Sequence, residues 1–325
     1  MRVQDRDLAH SQTRGSSPRY FLLLPGRNVP PPLWRGKASN MFTELSDANK
    51  AAIFSVLVLV MAVGAALSIR IFVLTPGMGM WVMWSFTPTA ATLIMLLVVT
   101  REGYSREGWK LLGLHRLGSS VWWIAFFGTL LISVATSAVV WATPLASFVV
   151  PEGGIVDAVI QFLIQVCILA LTFALGEEIG IRGYLLPRLV SLGRRRALLV
   201  SGLVWATWHM PLILLTTVFP VGNKLISLPL FYSTVVAASF VYGYLRLYTG
   251  SVWPASLAHA VHNAAWGALG AFTATSFPVI VNKYLVGDFG VLIPLGAVIG
   301  AAWLNSRLMG SEPRPGVPSG QAPAV

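Results

Sequence analysis

The stretch Ile155–Tyr184, IVDAVIQFLIQVCILALTFALGEEIGIRGY, begins as an apolar run and then sets two carboxylates side by side at Glu177 and Glu178. About 20 apolar residues are needed to cross the hydrocarbon core of a bilayer. The run 155–178 meets that length, and seven further runs do so at 50–74, 80–100, 119–142, 197–217, 226–247, 250–272 and 285–306. The seventh in chain order, 250–272, is the weakest, being rich in Ala and His. The chain of 325 residues is 55% hydrophobic and only 11% charged, where a soluble domain carries about 25% charged residues. Its mean hydropathy is +0.71. The predicted fold class is therefore all-α, a polytopic transmembrane helical bundle of about eight spans.

The net charge of +11 does not indicate nucleic acid, because the bases sit in loops and in an N-terminal arm, where orientation signals lie. Arg101, Arg106, Lys110 and Arg116 fall between the second and third runs. Arg188 and Arg194–Arg196 fall between the fourth and fifth, Arg246 ends the sixth, and Arg307 follows the last. The alternate loops hold Lys224 and Lys283. The basic loops are thus expected on the cytoplasmic side of what is expected to be the plasma membrane, with both termini inside.

Residues 1–45 form a basic, Pro-rich arm expected to be disordered, with Met41 as a possible alternative start and Ser46-Asp47 as a helix cap. Residues 46–308 form the membrane domain, and 309–325 a Pro/Gly-rich disordered tail. Cys167 is the one cysteine, which rules out an intrachain disulfide and a cysteine metal cluster. Its place in an apolar run reads as packing.

A charge at membrane depth costs roughly 2.5–3.5 kcal/mol on insertion scales, so intramembrane carboxylates carry a functional hypothesis by default. Glu178 and Arg182 are spaced i, i+4 and share a helix face, whereas Glu177 is turned about 100° away. The two carboxylates are therefore expected to divide structural and chemical work. His209 lies in Trp205-Ala-Thr-Trp-His-Met-Pro211, one turn after Trp205. His259 and Asn263 are again i, i+4, with His262 between them. At about 1.5 Å per residue, His209 lies roughly 18 Å from the start of its run and His259 roughly 13 Å, and Glu177 lies roughly 15 Å in from Pro187 if the fourth run continues as helix to that residue. The shared depth from one side predicts a single intramembrane chamber open to the cytoplasm. A glutamate with a histidine can activate water, and a histidine with an amide can hold a tetrahedral oxyanion. That combination describes an amide or ester hydrolase.

The segments Glu177–Arg182, Trp205–His209 and His259–Asn263, within 170–266, resemble the three signature motifs of the CPBP family. These are the CAAX-prenyl-protease-like (Rce1-like, or Abi) and bacteriocin-processing intramembrane peptidases. The resemblance implies a glutamic endopeptidase with no obligatory metal and no cofactor, acting on a peptide or membrane-protein substrate in the lipid bilayer. By position it makes Glu177 the base, His209 its assistant, His259 and Asn263 the oxyanion hole, and Glu178 with Arg182 the support. Two positions depart from the pattern: Ile181 where an aromatic often stands, and Trp205 in place of the commoner Phe. Three other readings stay open on the residues: a non-catalytic scaffold or bacteriocin-immunity protein of the same fold, an ion-coupled transporter with a Glu/His relay, and a zinc hydrolase using two His and a Glu.

Overall fold

The computed structural model describes residues 45–72, 77–219 and 222–310. The expectations for the N-terminal arm and the C-terminal tail therefore fall almost entirely outside the described residues. Helix α1 (Asp47–Ile71) starts where the cap was expected, with the Ser46 side chain accepting the Asn49 N–H. Phe54, Val58, Ala62, Ala66 and Ile69 recur at three- or four-residue spacing along its buried face. Val56, Val60 and Val63 on the opposite face are exposed, as suits a helix whose outer solvent is lipid.

Helices α2 (Met78–Ser85) and α3 (Thr87–Ile94) form a broken pair, bent by 42°. The break has a chemical origin. Pro88 has no N–H to donate to the Trp84 carbonyl, and the Thr87 hydroxyl takes that acceptor instead at 2.9 Å. A basic loop holding the short α4 (Arg106–Lys110) leads to α5 (Thr129–Trp141). Helix α6 (Gly154–Leu171) then runs into α7 (Phe173–Glu178), a wide π-helical turn at Ile179–Leu185, and α8 (Leu186–Leu189). Helices α9 (Arg194–Leu215), α10 (Lys224–Thr249) and α11 (Trp253–Ala271) follow, then the short α12 (Pro278–Ile280) and α13 (Leu292–Leu304). A two-residue antiparallel pairing joins β1 (Ser147–Phe148) to β2 (Thr273–Ala274), with Ser147 opposite Ala274.

Among the described residues six helical stretches are long and apolar enough to cross a membrane, or up to seven if the bent pair counts as one span. The chain is an integral membrane protein of all-α class. The fourth run continues as helix past Arg182 and Pro187, the helical path from Gly154 running through Leu192. The segment expected as the seventh span forms α11, which falls short of the apolarity of a span. Its polar residues Ser256, His259, His262 and Asn263 lower its hydropathy, and Ala255, Ala258, Ala260, Ala264 and Ala265 bury its other surface. Cys167 corrects another expectation: it is exposed, on a helix whose apolar residues Ile160, Leu163, Ile164 and Ile168 are exposed as well.

Candidate active site

The two glutamates are positioned by what α7 lacks. Gly176 and Gly180 form a small-xxx-small pair of the kind that lets membrane helices approach closely. A Cβ on Gly176 would lie 2.8 Å from the Ser85 carbonyl oxygen, and one on Gly180 would run into Pro88. Thr89 seals the contact by donating its hydroxyl to the Gly176 carbonyl at 2.6 Å. The break between α2 and α3 is therefore the seat of α7, and the helix widens into its π turn directly after Glu178.

Glu178 and Arg182 are both fully buried and pair at 2.9 Å, as their i, i+4 spacing predicted. The same carboxylate oxygen, Oε1, accepts a second hydrogen bond from His259 Nδ1 at 3.0 Å. The Arg182 guanidinium lies over the Trp205 ring at 4.0 Å, a placement that adds cation–π attraction in a site shielded from water. His259 is stacked on Tyr242, with centroids 5.5 Å apart, and meets Trp205 edge-on at 5.2 Å. Glu178 is thus committed to ordering α11 against α7.

Glu177 turns the other way, into a cavity of about 280 Å³ whose wall also carries His209, His259 and Asn263. Its Oε2 accepts the indole N–H of Trp205 at 2.9 Å and its Oε1 the Ser85 hydroxyl at 3.4 Å. Its neighbour Glu178 stays behind the wall. His209 is fixed by a 2.9 Å hydrogen bond between Nδ1 and the Trp205 carbonyl. A carbonyl only accepts, so Nδ1 is the protonated nitrogen and the neutral ring keeps its lone pair on Nε2. Trp208 at 4.5 Å and Phe231 at 5.2 Å hold the ring edge-on. Trp208 is itself tied to the broken helix pair through a 2.9 Å bond to Thr87 Oγ1.

The structure therefore brings Glu177, His209, His259 and Asn263 to one chamber and places Glu178 and Arg182 immediately behind it. Three contributors were missed by sequence reasoning. Trp205 was read as a neighbour of His209, yet its N–H engages Glu177. Ser85 gave no signal, being an ordinary hydroxyl in an apolar run. Asp288, which pairs with His262 at 2.7 Å and also lines the cavity, was legible in principle as an acid beside an apolar segment. Among the described residues no group of three His, Cys, Asp or Glu side chains is arranged to hold a metal ion.

Residues 159–265 match the family model described as Rce1-like, type II CAAX prenyl endopeptidase Rce1-like. No curated protein matches the chain. The match covers about a third of the chain and contains all three motifs, at 177–182, 205–209 and 259–263. That segment is similar to the Rce1-like family, a family of membrane endopeptidases.

Proposed function

We propose, starting from the similarity of residues 159–265 to the Rce1-like family, that the chain is an intramembrane glutamic endopeptidase. It hydrolyses a peptide bond of a membrane-associated protein or peptide, from the cytoplasmic side of the plasma membrane and without a metal. The observation that carries this reading is the placement of Glu177. Its carboxylate faces the cavity, held by Trp205 and Ser85, while the adjacent Glu178 is spent on Arg182 and His259.

In this reading the Nε2 lone pair of His209 orients a water and Glu177 takes its proton. The hydroxide adds to the scissile carbonyl carbon, and the carbonyl oxygen becomes an oxyanion. His259 and Asn263 stabilise it with preorganised donors. His259 already donates Nδ1–H to Glu178, so giving a second hydrogen bond from Nε2 requires the doubly protonated ring. The Glu178 carboxylate beside it supplies the compensating charge. The aromatic walls around the chamber exclude bulk water, which strengthens each of these interactions.

The test compares the membrane and secreted peptidomes of cells carrying wild type or Glu177→Gln at equal, correctly inserted levels. The expected result is a fragment or mature product that disappears in the variant and whose formation persists in the presence of a metal chelator. Identical peptidomes would favour the scaffold or immunity reading of the same fold. Loss of cleavage in chelator would favour the zinc reading.

A further inference from the structure

We propose that His262, held by Asp288, is the general acid that protonates the leaving amine, a role additional to the glutamate machinery and resting on the peptidase reading above. An amide nitrogen leaves poorly as an anion, so collapse of the tetrahedral intermediate needs a proton donor placed on the nitrogen side. Beyond the residues already assigned, the cavity wall carries one further imidazole, His262. His259, His262, Asn263 and Trp266 stand at i, i+3, i+4 and i+7 on α11, and all four line the cavity. One helix face therefore presents two imidazoles, each tied to a carboxylate, one turn apart.

The two pairs differ in burial. Glu178 is fully buried behind His259, whereas the His262 and Asp288 side chains keep 12% and 23% of their surface exposed. The carboxylate behind His259 is closed off, while both members of the His262–Asp288 pair line the cavity. Asp288 only accepts, so its 2.7 Å bond fixes His262 with Nε2–H donating. Among the described residues Nδ1 has no hydrogen-bond partner, and in the imidazolium it is the N–H left for substrate.

The carboxylate is delivered by a loop that only glycine permits. Gly287 has φ +74°, and a Cβ there would lie 2.5 Å from the Trp266 indole nitrogen. The loop backbone therefore rests against Trp266, one turn beyond His262. The segment is held at its other end by Tyr284, whose hydroxyl accepts the Asn223 N–H at 2.8 Å. Such a mount holds an acid in one place through the reaction.

The step balances as follows. As the C–N bond breaks, its electron pair goes to nitrogen, which takes the Nδ1 proton of His262, and the oxyanion electrons re-form the carbonyl. The products are a carboxylic acid and an amine. Once the products leave and water refills the cavity, the proton that Glu177 took returns to His262, so one water is consumed and both groups are restored.

The experiment uses the full chain in proteoliposomes with a synthetic mixture of decapeptides. The peptide cut fastest by wild type is then compared with the 4-nitrophenyl ester of its acyl half, whose leaving group needs no proton. General acid catalysis is worth about 100-fold or more. His262→Asn is expected to lower the peptide-to-ester rate ratio by about that factor, and Asp288→Asn to lower it by a smaller factor in the same direction. Glu177→Gln is expected to remove both activities. A ratio unchanged in both variants, whether or not the absolute rates fall, would overturn the role of His262 and leave the glutamate chemistry standing. A wild type that cuts no peptide would overturn the peptidase reading and this proposal with it.

Discussion

Trp205 does two jobs that one ring rarely combines. Its N–H holds Glu177 Oε2 at 2.9 Å, and its face carries the Arg182 guanidinium at 4.0 Å. Phenylalanine would keep most of the face and lose the N–H. A hydrogen bond to a charged group contributes about 1.5–3 kcal/mol, and each 1.36 kcal/mol is a factor of ten in rate. Trp205→Phe is therefore expected to lower kcat/KM by about 10- to 100-fold. Activity within a factor of two of wild type would reduce Trp205 to packing. Arg182→Ala tests the neighbouring carboxylate in the opposite way, since it leaves the fully buried Glu178 with only His259 as partner. Breaking one side of a buried pair costs about 3–5 kcal/mol, so Tm in detergent should fall together with activity. A variant that melts and cuts as wild type does would show that the pair is dispensable. At this scale the sequence was most informative where a charge interrupts an apolar run, as at Glu177, Glu178 and Arg182. It was silent where an ordinary side chain becomes important through a distant partner. Ser85 lies 92 residues from Glu177, and no spacing rule reaches that far.

Among the elements, the contact between α7 and the α2/α3 break decides where the glutamates sit. Gly180 lies against Pro88, whose Cβ and backbone would both have to move for any side chain to fit. Overpacking of this kind costs about 1–3 kcal/mol, and here it would also swing Glu177 out of the cavity wall. Gly180→Ala is expected to lower both Tm and turnover. Gly267→Ala on α11 is the matched control, because a Cβ there meets nothing within 4 Å. If both changes behave alike, the close approach is not what positions α7. Helix existence was legible from run length for most runs, though the last begins at Leu292 rather than 285, and the small-residue spacing of Gly176 and Gly180 was there to be read. The 42° bend, the π turn after Glu178 and the interior character of α11 were not. The first two depend on where neighbouring helices supply replacement hydrogen bonds. The third shows a general limit: a helix that carries a polar site loses the hydropathy by which a span is recognised.

Across the whole molecule, one charge cluster ties together parts of the chain far apart in sequence. Glu102, in the basic loop after α3, accepts Lys50 Nζ at 2.7 Å and Arg188 Nη2 at 2.6 Å. Lys50 lies near the start of α1 and Arg188 at the far end of the long helical path that carries the glutamates. Arg188 is fixed further by its bond to the Tyr184 carbonyl at 2.8 Å and by its guanidinium lying 3.5 Å from the Tyr184 ring centroid. This cluster sits among the loops whose positive charge predicted the cytoplasmic side, so Arg188, read as an orientation signal, also fastens the bundle. Burial pushes the Glu102 carboxyl up, but the Lys50 hydrogen bond and the charges of Arg188 and Lys50 outweigh it and hold the group below its ordinary 4.5. A depressed carboxylate contributes stability that is complete above the unfolded value and is lost as pH falls through the folded one. Glu102→Gln should therefore lower stability at neutral pH by about 1–3 kcal/mol for a partly buried pair of bonds, and Tm with it. Titrated downward, the wild-type and variant melting curves should stay apart until the pH drops below 4.5 and then converge as the wild-type carboxylate protonates. Because the cluster is largely shielded, added salt should narrow the gap only slightly. Equal melting at neutral pH, or a gap that survives full protonation of Glu102, would mean that the loop is fastened by packing and that the cluster only accompanies it.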